Sequence, residues 1–335
     1  MRVLFIGGTG IISSACAELA VQRGIELYLL NRGQSKRPPA AGAKLLQGDI
    51  RRGESALAAL GELQFDAVVD WVAFTTEHVQ NDIELFRERS GQYIFISSAS
   101  AYQTPPHFLP VTESTPLHNP YWQYSRDKAA CEALLLDVYR QEGFPATVVR
   151  PSHTYDRTLL PFHDGYTTVA RMRSGKKVVV HGDGTSLWTL THHADFAVGF
   201  VGLLGNPHAL GETFQITSDE WLSWNQIYEI VAQAAGAEPH LVHAPSDLIA
   251  AFDPELGAGL LGDKAHSMIF DNNKIRRLVP DFNPRIPFWQ GAREILAWYD
   301  ADPKRRVVDP YFNALQDRII AAIEGITPGE RIGSS

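Results

Sequence analysis

Short apolar runs alternate along this chain with longer stretches in which apolar residues return at helical spacing. Arg2–Ile6 opens the series, and 25–30, Lys44–Gln47, Ala67–Asp70, Tyr93–Ile96 and 146–150 continue it as predicted strands. Helical stretches separate most of them. That alternation implies an α/β fold, a doubly wound parallel sheet with helices on both faces and ligands at the C-terminal strand ends. After Pro151 the regularity weakens. A strand over 177–180, the turn Gly182-Asp183-Gly184, a helix over 193–204, the strand Thr213–Ile216 and helices at Trp224–Ala235 and 291–299 predict a smaller mixed α/β lobe. No internal repeat or low-complexity linker interrupts the chain. The closing Gly333-Ser334-Ser335 reads as a frayed terminus.

Two local patterns carry chemistry. Arg2–Ile6 runs directly into Gly7-Gly8-Thr9-Gly10-Ile11-Ile12-Ser13, and a helix over 14–20 follows. Strand, glycine turn and helix in that order let the backbone approach a pyrophosphate and aim free helix N–H groups at it. The third small residue is Ser13, where glycine is usual. Glycines alone would read as a tight turn; their place inside a strand-turn-helix favours a dinucleotide. The second pattern is Tyr124-Ser125-Arg126-Asp127-Lys128, at the start of a predicted helix over 124–139. Positions i and i+4 share a helix face. A tyrosine hydroxyl titrates at about pH 10, so it acts as a base near neutrality only where a cation stabilises the phenolate. Lys128 is placed to supply that cation, and Ser98, at the end of the Tyr93–Ile96 strand, to orient a substrate oxygen. Alone, the pair also fits two surface residues sharing a helix face.

Together the glycine turn, the strand end Ser97-Ser98, the Tyr124/Lys128 pair and Arg150-Pro151 resemble the extended short-chain dehydrogenase/reductase family, the NAD-dependent epimerase/dehydratase group. The resemblance covers most of residues 1 to about 290. It implies a Rossmann-like NAD(P)-binding domain over 1–175, rejoined by 190–217, and a mainly substrate-binding lobe over 176–335. It also implies hydride transfer coupled to proton transfer, with Ser98, Tyr124 and Lys128 as the catalytic set. Lys128 would lower the Tyr124 pKa and bind the nicotinamide ribose; Ser97 and Ser100 are alternatives to Ser98. Implied cofactor contacts are Gly7, Gly10, Ile11 and Ile12 at the turn, and Asn31 and Arg32 after the second strand. Asp49 and Ile50 would meet the adenine, Val72 and Ala73 the nicotinamide ribose, and Ser97, Tyr124, Lys128 and Pro151 complete the set. Asp49 equally reads as an ordinary turn acid after Gly48.

Departures from the family pattern refine the expectation. An acid at the end of the second strand suits NAD, and a nearby arginine suits NADP. Asn31-Arg32-Gly33, with Lys36 and Arg37, has no acid and three cations, so NADP is slightly preferred to NAD, although Arg32 equally suits stacking on adenine. The 4,6-dehydratases of the group carry Asp-Glu just after the catalytic Ser/Thr, and decarboxylases a Glu. Ala99 and Ser100 stand there, which disfavours both reactions and leaves oxidation, reduction or epimerisation through a transient ketone. His153 replaces the family's sugar-contacting Asn; it suits a donor to a sugar hydroxyl, a second proton carrier or a neutral spacer. Trp188 replaces the arginine that grips a nucleotide diphosphate, and a neutral indole cannot do that work. Either Arg171, Arg173 or Lys264 holds a diphosphate, or the substrate has none; Trp188 itself suits stacking on a sugar ring or packing between lobes. Ser98, Ser100, His153 and Trp188 are the candidate substrate contacts.

Composition narrows the partners. With 335 residues, 44% of them hydrophobic, the chain can bury the cores of two lobes. Its formal net charge of -8 offers no basic footprint, so neither nucleic acid nor an anionic membrane is expected. The absence of a long apolar run or a leader pattern predicts a cytoplasmic protein. Cys16 and Cys131 make no metal or disulfide spacing, and adjacent His192-His193 would point apart, so no metal is expected. The family resemblance adds a homodimer. The leading expectation is an NAD(P)-dependent epimerase or oxidoreductase acting on a hydroxyl of a sugar or sugar nucleotide. The alternatives are a reductase of a non-sugar ketone and a non-catalytic RNA-binding relative, because the chloroplast stem-loop-binding proteins share the Asn-Arg-Gly strand end.

Overall fold

In the computed structural model the described residues are 1–325, so the end expected to fray, Gly333-Ser334-Ser335, lies outside the described residues. Seven strands make one parallel sheet: β1 (Arg2–Ile6), β2 (Glu26–Asn31), β3 (Lys44–Gln47), β4 (Ala67–Asp70), β5 (Tyr93–Ile96), β6 (Ala146–Pro151) and a last one from further along the chain. Before that last strand come β7 (His153–Tyr155), β8 (Lys177–His181), β9 (Leu187–Trp188) and β10 (Leu190–His192); it is β11 (Thr213–Ile216), and β12 (Leu222–Ser223) and β13 (His240–Ala244) follow. The sheet order is β11-β6-β5-β4-β1-β2-β3. Chain direction across the sheet reverses at β1, whose Ile6 pairs with Leu30 of β2 on one side and Asp70 of β4 on the other. A crevice opens at such a switch point, beyond the carboxyl ends of the strands.

Helices cover both faces, as strands apolar on both sides require. α1 (Ile11–Gln22), α2 (Gly53–Leu60), α3 (Thr76–Phe86), α4 (Gln123–Glu142), α5 (Tyr166–Arg173), α6 (His193–Val201) and α7 (Trp224–Ala235) follow in order. On one face the small residues Ala15, Cys16, Ala17 and Ala20 of α1 let it lie close against Phe196, Ala197 and Phe200 of α6. On the other, α2, α3 and α4 pack Ala56, Val79, Phe86, Cys131 and Leu135 onto the sheet. Both cysteines are buried, free and in helices.

The smaller lobe has its own core around Phe162, Trp188, Trp224, Ile227, Phe288 and Ile295. The strand expected over 177–180 is β8, but its partner β13 and the pairs of β7 with β10 and β9 with β12 have no counterpart in the sequence expectation. β7, β9, β10 and β12, of two or three residues, lack the length to show a period, and the pairing partners are distant in sequence. Helix ends also move. α4 runs on to Glu142 because its first breaker is Gly143, in the left-handed conformation at φ 72. α6 stops at Val201 instead of 204, and the helix Phe288–Asp300 starts earlier than 291.

Candidate active site

A groove of about 570 Å³ runs along the carboxyl ends of β1, β2 and β4, lined by Gly7, Asn31, Arg32, Asp49, Ile50 and Val72 among others. Gly10 caps α1, and Ile11 and Ile12 begin its first turn. The turn admits only glycine where the backbone is most constrained: Gly8 has φ 95, and a Cβ on it would lie 2.6 Å from Leu29 Cδ2. Ser13 is nearly buried, and its hydroxyl accepts the Gly10 N–H at 2.8 Å, so the serine found in place of glycine closes the helix end itself. A backbone pressed this close to a helix N-terminus, beside a polar groove, fits a dinucleotide's pyrophosphate and ribose. Asp49 serves its turn too, accepting the Arg51 N–H at 3.0 Å.

The cation cluster after β2 is smaller than the sequence implied. Arg32 lines the groove, but Arg37 is drawn away, its guanidinium 2.5 Å from Asp156 and bonded to Ser14 and Thr158. Asp156, buried and hydrogen-bonded to Thr158, is held below the usual carboxylate range and stays charged to receive it.

A second cavity, of about 250 Å³, opens beyond β5 and β6. Ser98, Ser100, Tyr124, Pro151, His153 and Trp188 all line it, so the four candidate substrate contacts meet the candidate catalytic tyrosine. Pro151, expected at the cofactor, also stands in this wall. Trp122, Asp263, Met268 and Phe270 complete much of it and carried no sequence signal, except that Trp122 directly precedes the tyrosine motif. Ser98 Oγ accepts the Ser100 N–H at 3.2 Å and lies 2.9 Å from Ser100 Oγ, which itself accepts from Ser125 at 2.8 Å. That hydroxyl network holds Ser98 at the cavity wall beside Tyr124.

Tyr124 and Lys128 share a helix face, but the lysine does not do what the spacing implied. Its Nζ donates to the carbonyls of Ala73 and Ile96, each at 2.7 Å, and lies 5.8 Å from the Tyr124 ring centroid. Burial lowers its pKa to about 8. Burial pushes the Tyr124 hydroxyl up; the Ser98 hydroxyl opposes this and the Asp263 carboxylate adds to it. The shift runs opposite to the lowering expected from Lys128, because burial of the tyrosine dominates. Asp70 prepares the lysine's seat by accepting the N–H groups of Val72 and Ala73 at 2.5 and 2.9 Å.

Other expectations change as well. Ser97 is turned from the groove, donating to Glu132, which also holds Arg150 in a buried pair at 2.5 Å. Burial first, and the nearby Lys264 second, depress His153 to about 3, so it is neutral and not a proton carrier near pH 7. Arg171 is committed to Asp317 and Asn313, and Arg173 to Asp300, which removes both as diphosphate ligands. Trp188 is 4% exposed and its Nε1 has no partner among the described residues; it packs against Trp224 with ring centroids 5.8 Å apart. His192 caps α6 and pairs with Glu294, while His193 donates to the Ile11 carbonyl at 3.1 Å. Among the described residues no helix is long and apolar enough to cross a membrane, and no group of three His, Cys, Asp or Glu could hold a metal.

Comparison with known proteins agrees with this architecture. The chain is 27% identical over 257 residues to the chloroplast stem-loop binding protein of 41 kDa b from Arabidopsis thaliana, covering 72% of this chain and 65% of that protein. It is 29% identical over 180 residues to a dTDP-glucose 4,6-dehydratase from Actinoplanes sp., covering 53% and 51% respectively. The matches thus span between half and two thirds of these relatives' own lengths. Among solved structures, an epimerase from Methanothermobacter thermautotrophicus superposes with a TM-score of 0.74 at 16% identity, over 91% of this chain and 94% of that one. UDP-glucose 4-epimerase from Thermus thermophilus, in complex with NAD, gives 0.70 at 20% identity, over 90% and 99%. At those identities the likeness shows a shared fold. The model of the NAD dependent epimerase/dehydratase family matches residues 3–217, well over half the chain, and the chain belongs to that family.

Proposed function

We propose that this protein is an NAD(P)-dependent epimerase or oxidoreductase that transfers hydride at a secondary hydroxyl of a sugar or sugar nucleotide. The observation that carries the reading is the convergence of Ser98 and Tyr124 on one cavity, with Lys128 behind them on the same helix as the tyrosine. Gly7, Gly10, Asn31, Arg32, Asp49 and Val72 would hold the dinucleotide, within a cofactor-binding part formed by 1–175 and 190–217; residues 176–335 mainly bind substrate. Bound there, it supplies a hydride acceptor in oxidation and a hydride donor in reduction. Ser98, beside Tyr124 in the cavity wall, would orient the substrate oxygen. Tyr124, with its hydroxyl pushed up by burial, carries its proton at neutral pH and gives it to the developing alkoxide. Reduction is the direction for which that protonation state is ready. Lys128 spends two of its three N–H donors on Ala73 and Ile96, and the third is left for a ribose hydroxyl. Ala99 and Ser100 place no acid beside Ser98, which favours redox or epimerisation over loss of water. The preference for NADP rests on Arg32 once Arg37 is paired with Asp156.

The test is to denature the purified protein and weigh the released nucleotide. Tightly retained oxidised cofactor that needs no replenishment marks an epimerase; a freely exchanging cofactor consumed with substrate marks a dehydrogenase or reductase. Tyr124→Phe is expected to lose about 10²- to 10⁴-fold in turnover with cofactor binding kept; unchanged turnover would end this reading. A second reading, RNA binding without catalysis, is favoured by the likeness to the stem-loop binding protein. The net charge of -8 counts against it. Salt-sensitive binding of a stem-loop RNA, with no nucleotide released on denaturation, would put it first.

A further inference from the structure

The cavity at Tyr124 contains a carboxylate supplied from the far end of the chain. Asp263 belongs to a π-helical turn, Leu260–Lys264, and such turns recur at functional sites. The turn is clamped from both lobes. Asn119 Nδ2 donates to the Gly262 carbonyl at 2.6 Å and to the Ser100 carbonyl at 2.8 Å, joining the turn to the segment that follows Ser98. His181 Nε2 and Ser186 Oγ donate to the Lys264 carbonyl at 3.1 and 3.0 Å. A Cβ on Gly262 would lie 2.9 Å from the Cβ of Trp122, so only glycine permits this approach. Asp263 is thereby held in the wall that Tyr124, Trp188 and His153 share.

The charges of that wall do not suit an anion. No arginine or lysine lines the cavity among the described residues, and His153 is neutral. Lys264 is 3.2 Å from Asp263 and lies 5.6 Å from the Trp188 ring centroid, lining a separate cavity of about 80 Å³ behind it, and Lys128 is engaged with the Ala73 and Ile96 carbonyls. That cavity holds a further buried carboxyl, Asp164, whose Oδ1 has no partner among the described residues. A diphosphate would therefore meet carboxyl groups, with one lysine already paired. The volume of about 250 Å³ also falls below the roughly 300–1,000 Å³ usual for drug-sized ligands.

We infer that the substrate is a compact, uncharged hydroxylated ring or its ketone, with Asp263 accepting one of its hydroxyls and rejecting diphosphate-bearing molecules. This rests on the reading of the cavity as the site of hydride transfer, and it narrows that reading from sugar nucleotides to free polyols. Trp122 and Trp188 supply apolar faces for such a ring, and Asp263 supplies an acceptor that a hydroxyl can use and an anionic diphosphate cannot.

The test reads binding apart from chemistry. UDP-glucose is titrated by intrinsic tryptophan fluorescence into the full chain, into Asp263→Asn and into Asp263→Lys, each checked for folding by thermal melting. Wild type is expected to show no saturation below millimolar UDP-glucose, and both variants to bind it about tenfold or more tighter. Micromolar binding by wild type, or no gain in either folded variant, would overturn the inference. The same titration with uncharged hexoses, pentoses and inositols is expected to find a saturable ligand of wild type that Asp263→Asn weakens about tenfold; a silent panel overturns it too. Turnover is assayed separately from binding: a ligand that saturates wild type and is weakened by Asp263→Asn, but is neither oxidised nor reduced with NAD or NADP, counts against the proposed chemistry and leaves this assignment standing, whereas loss of the binding pattern overturns the assignment itself.

Discussion

The groove proposed for the cofactor and the cavity proposed for the substrate lie beside each other at the same edge of the sheet, yet they are built in opposite ways. Groove residues follow directly on the strands that position them: Gly7 after β1, Arg32 after β2, Asp49 and Ile50 after β3, Val72 after β4. The cavity is gathered from Ser98, Tyr124, His153, Trp188, Asp263 and Phe270, which no single local unit contains. Their chemistry differs as well. The groove is an arrangement of turns and polar side chains; the cavity is aromatic, with one carboxylate and a neutral histidine. A site made from strand ends is specified once the strands are, whereas a gathered site depends on how the second lobe docks.

Breaking the joint between the two should separate them most. Glu132 takes hydrogen bonds from Arg150 and Ser97, beneath the strand ends that carry Ser98 and Pro151. Glu132→Ala leaves a buried guanidinium unpaired and is expected to cost about 3–5 kcal/mol in denaturant unfolding. Substrate KM should rise while cofactor affinity holds; equal losses in both would erase the distinction drawn between the sites. Gly8→Ala probes the other side. Its Cβ would press on Leu29 at a left-handed φ, costing about 1–3 kcal/mol and weakening dinucleotide binding in a fluorescence titration, with the substrate cavity unchanged.

The third effect depends on pH and is small at any one pH step. His153 is neutral in the folded protein, with its pKa lowered from 6.5 to about 3. Between those values the unfolded chain binds the extra proton, so stability is lost as pH falls through that window. His153→Gln should reduce the acid slope of stability by at most about 1.4 kcal/mol per pH unit, measured as the difference between the two proteins' melting profiles. No difference between them would mean that this histidine is exposed to water and that the cavity wall is looser than its burial indicates.

Legibility in the sequence follows the same division. The predicted strands of the parallel sheet reappear within a residue of their expected ends, and the glycine turn and the residues after β2, β3 and β4 line the groove. Arg51 and Phe74, in the same loops, and His78, in the first turn of α3, escaped notice because nothing in their residue type marks them as groove-lining. Lys128 was legible as a neighbour of Tyr124 on a helix face, but not as a donor to Ala73 and Ile96, since those carbonyls belong to other elements. Arg37, Arg171 and Arg173 were legible as cations and not as cations already paired with Asp156, Asp317 and Asp300.

By itself the sequence determined the strand-turn-helix at the N-terminus, the parallel sheet and the pairing of Tyr124 with Lys128 on one helix. These depend on backbone conformation and spacing among neighbours, which residue type and order specify directly. Only the tertiary structure decided the protonation state of Tyr124 and His153, the loss of three arginines to carboxylate partners, and the arrival of Asp263 in the cavity. Burial and long-range pairing set those outcomes, because the free energy of a charge depends on the groups folding brings around it and on the water it removes.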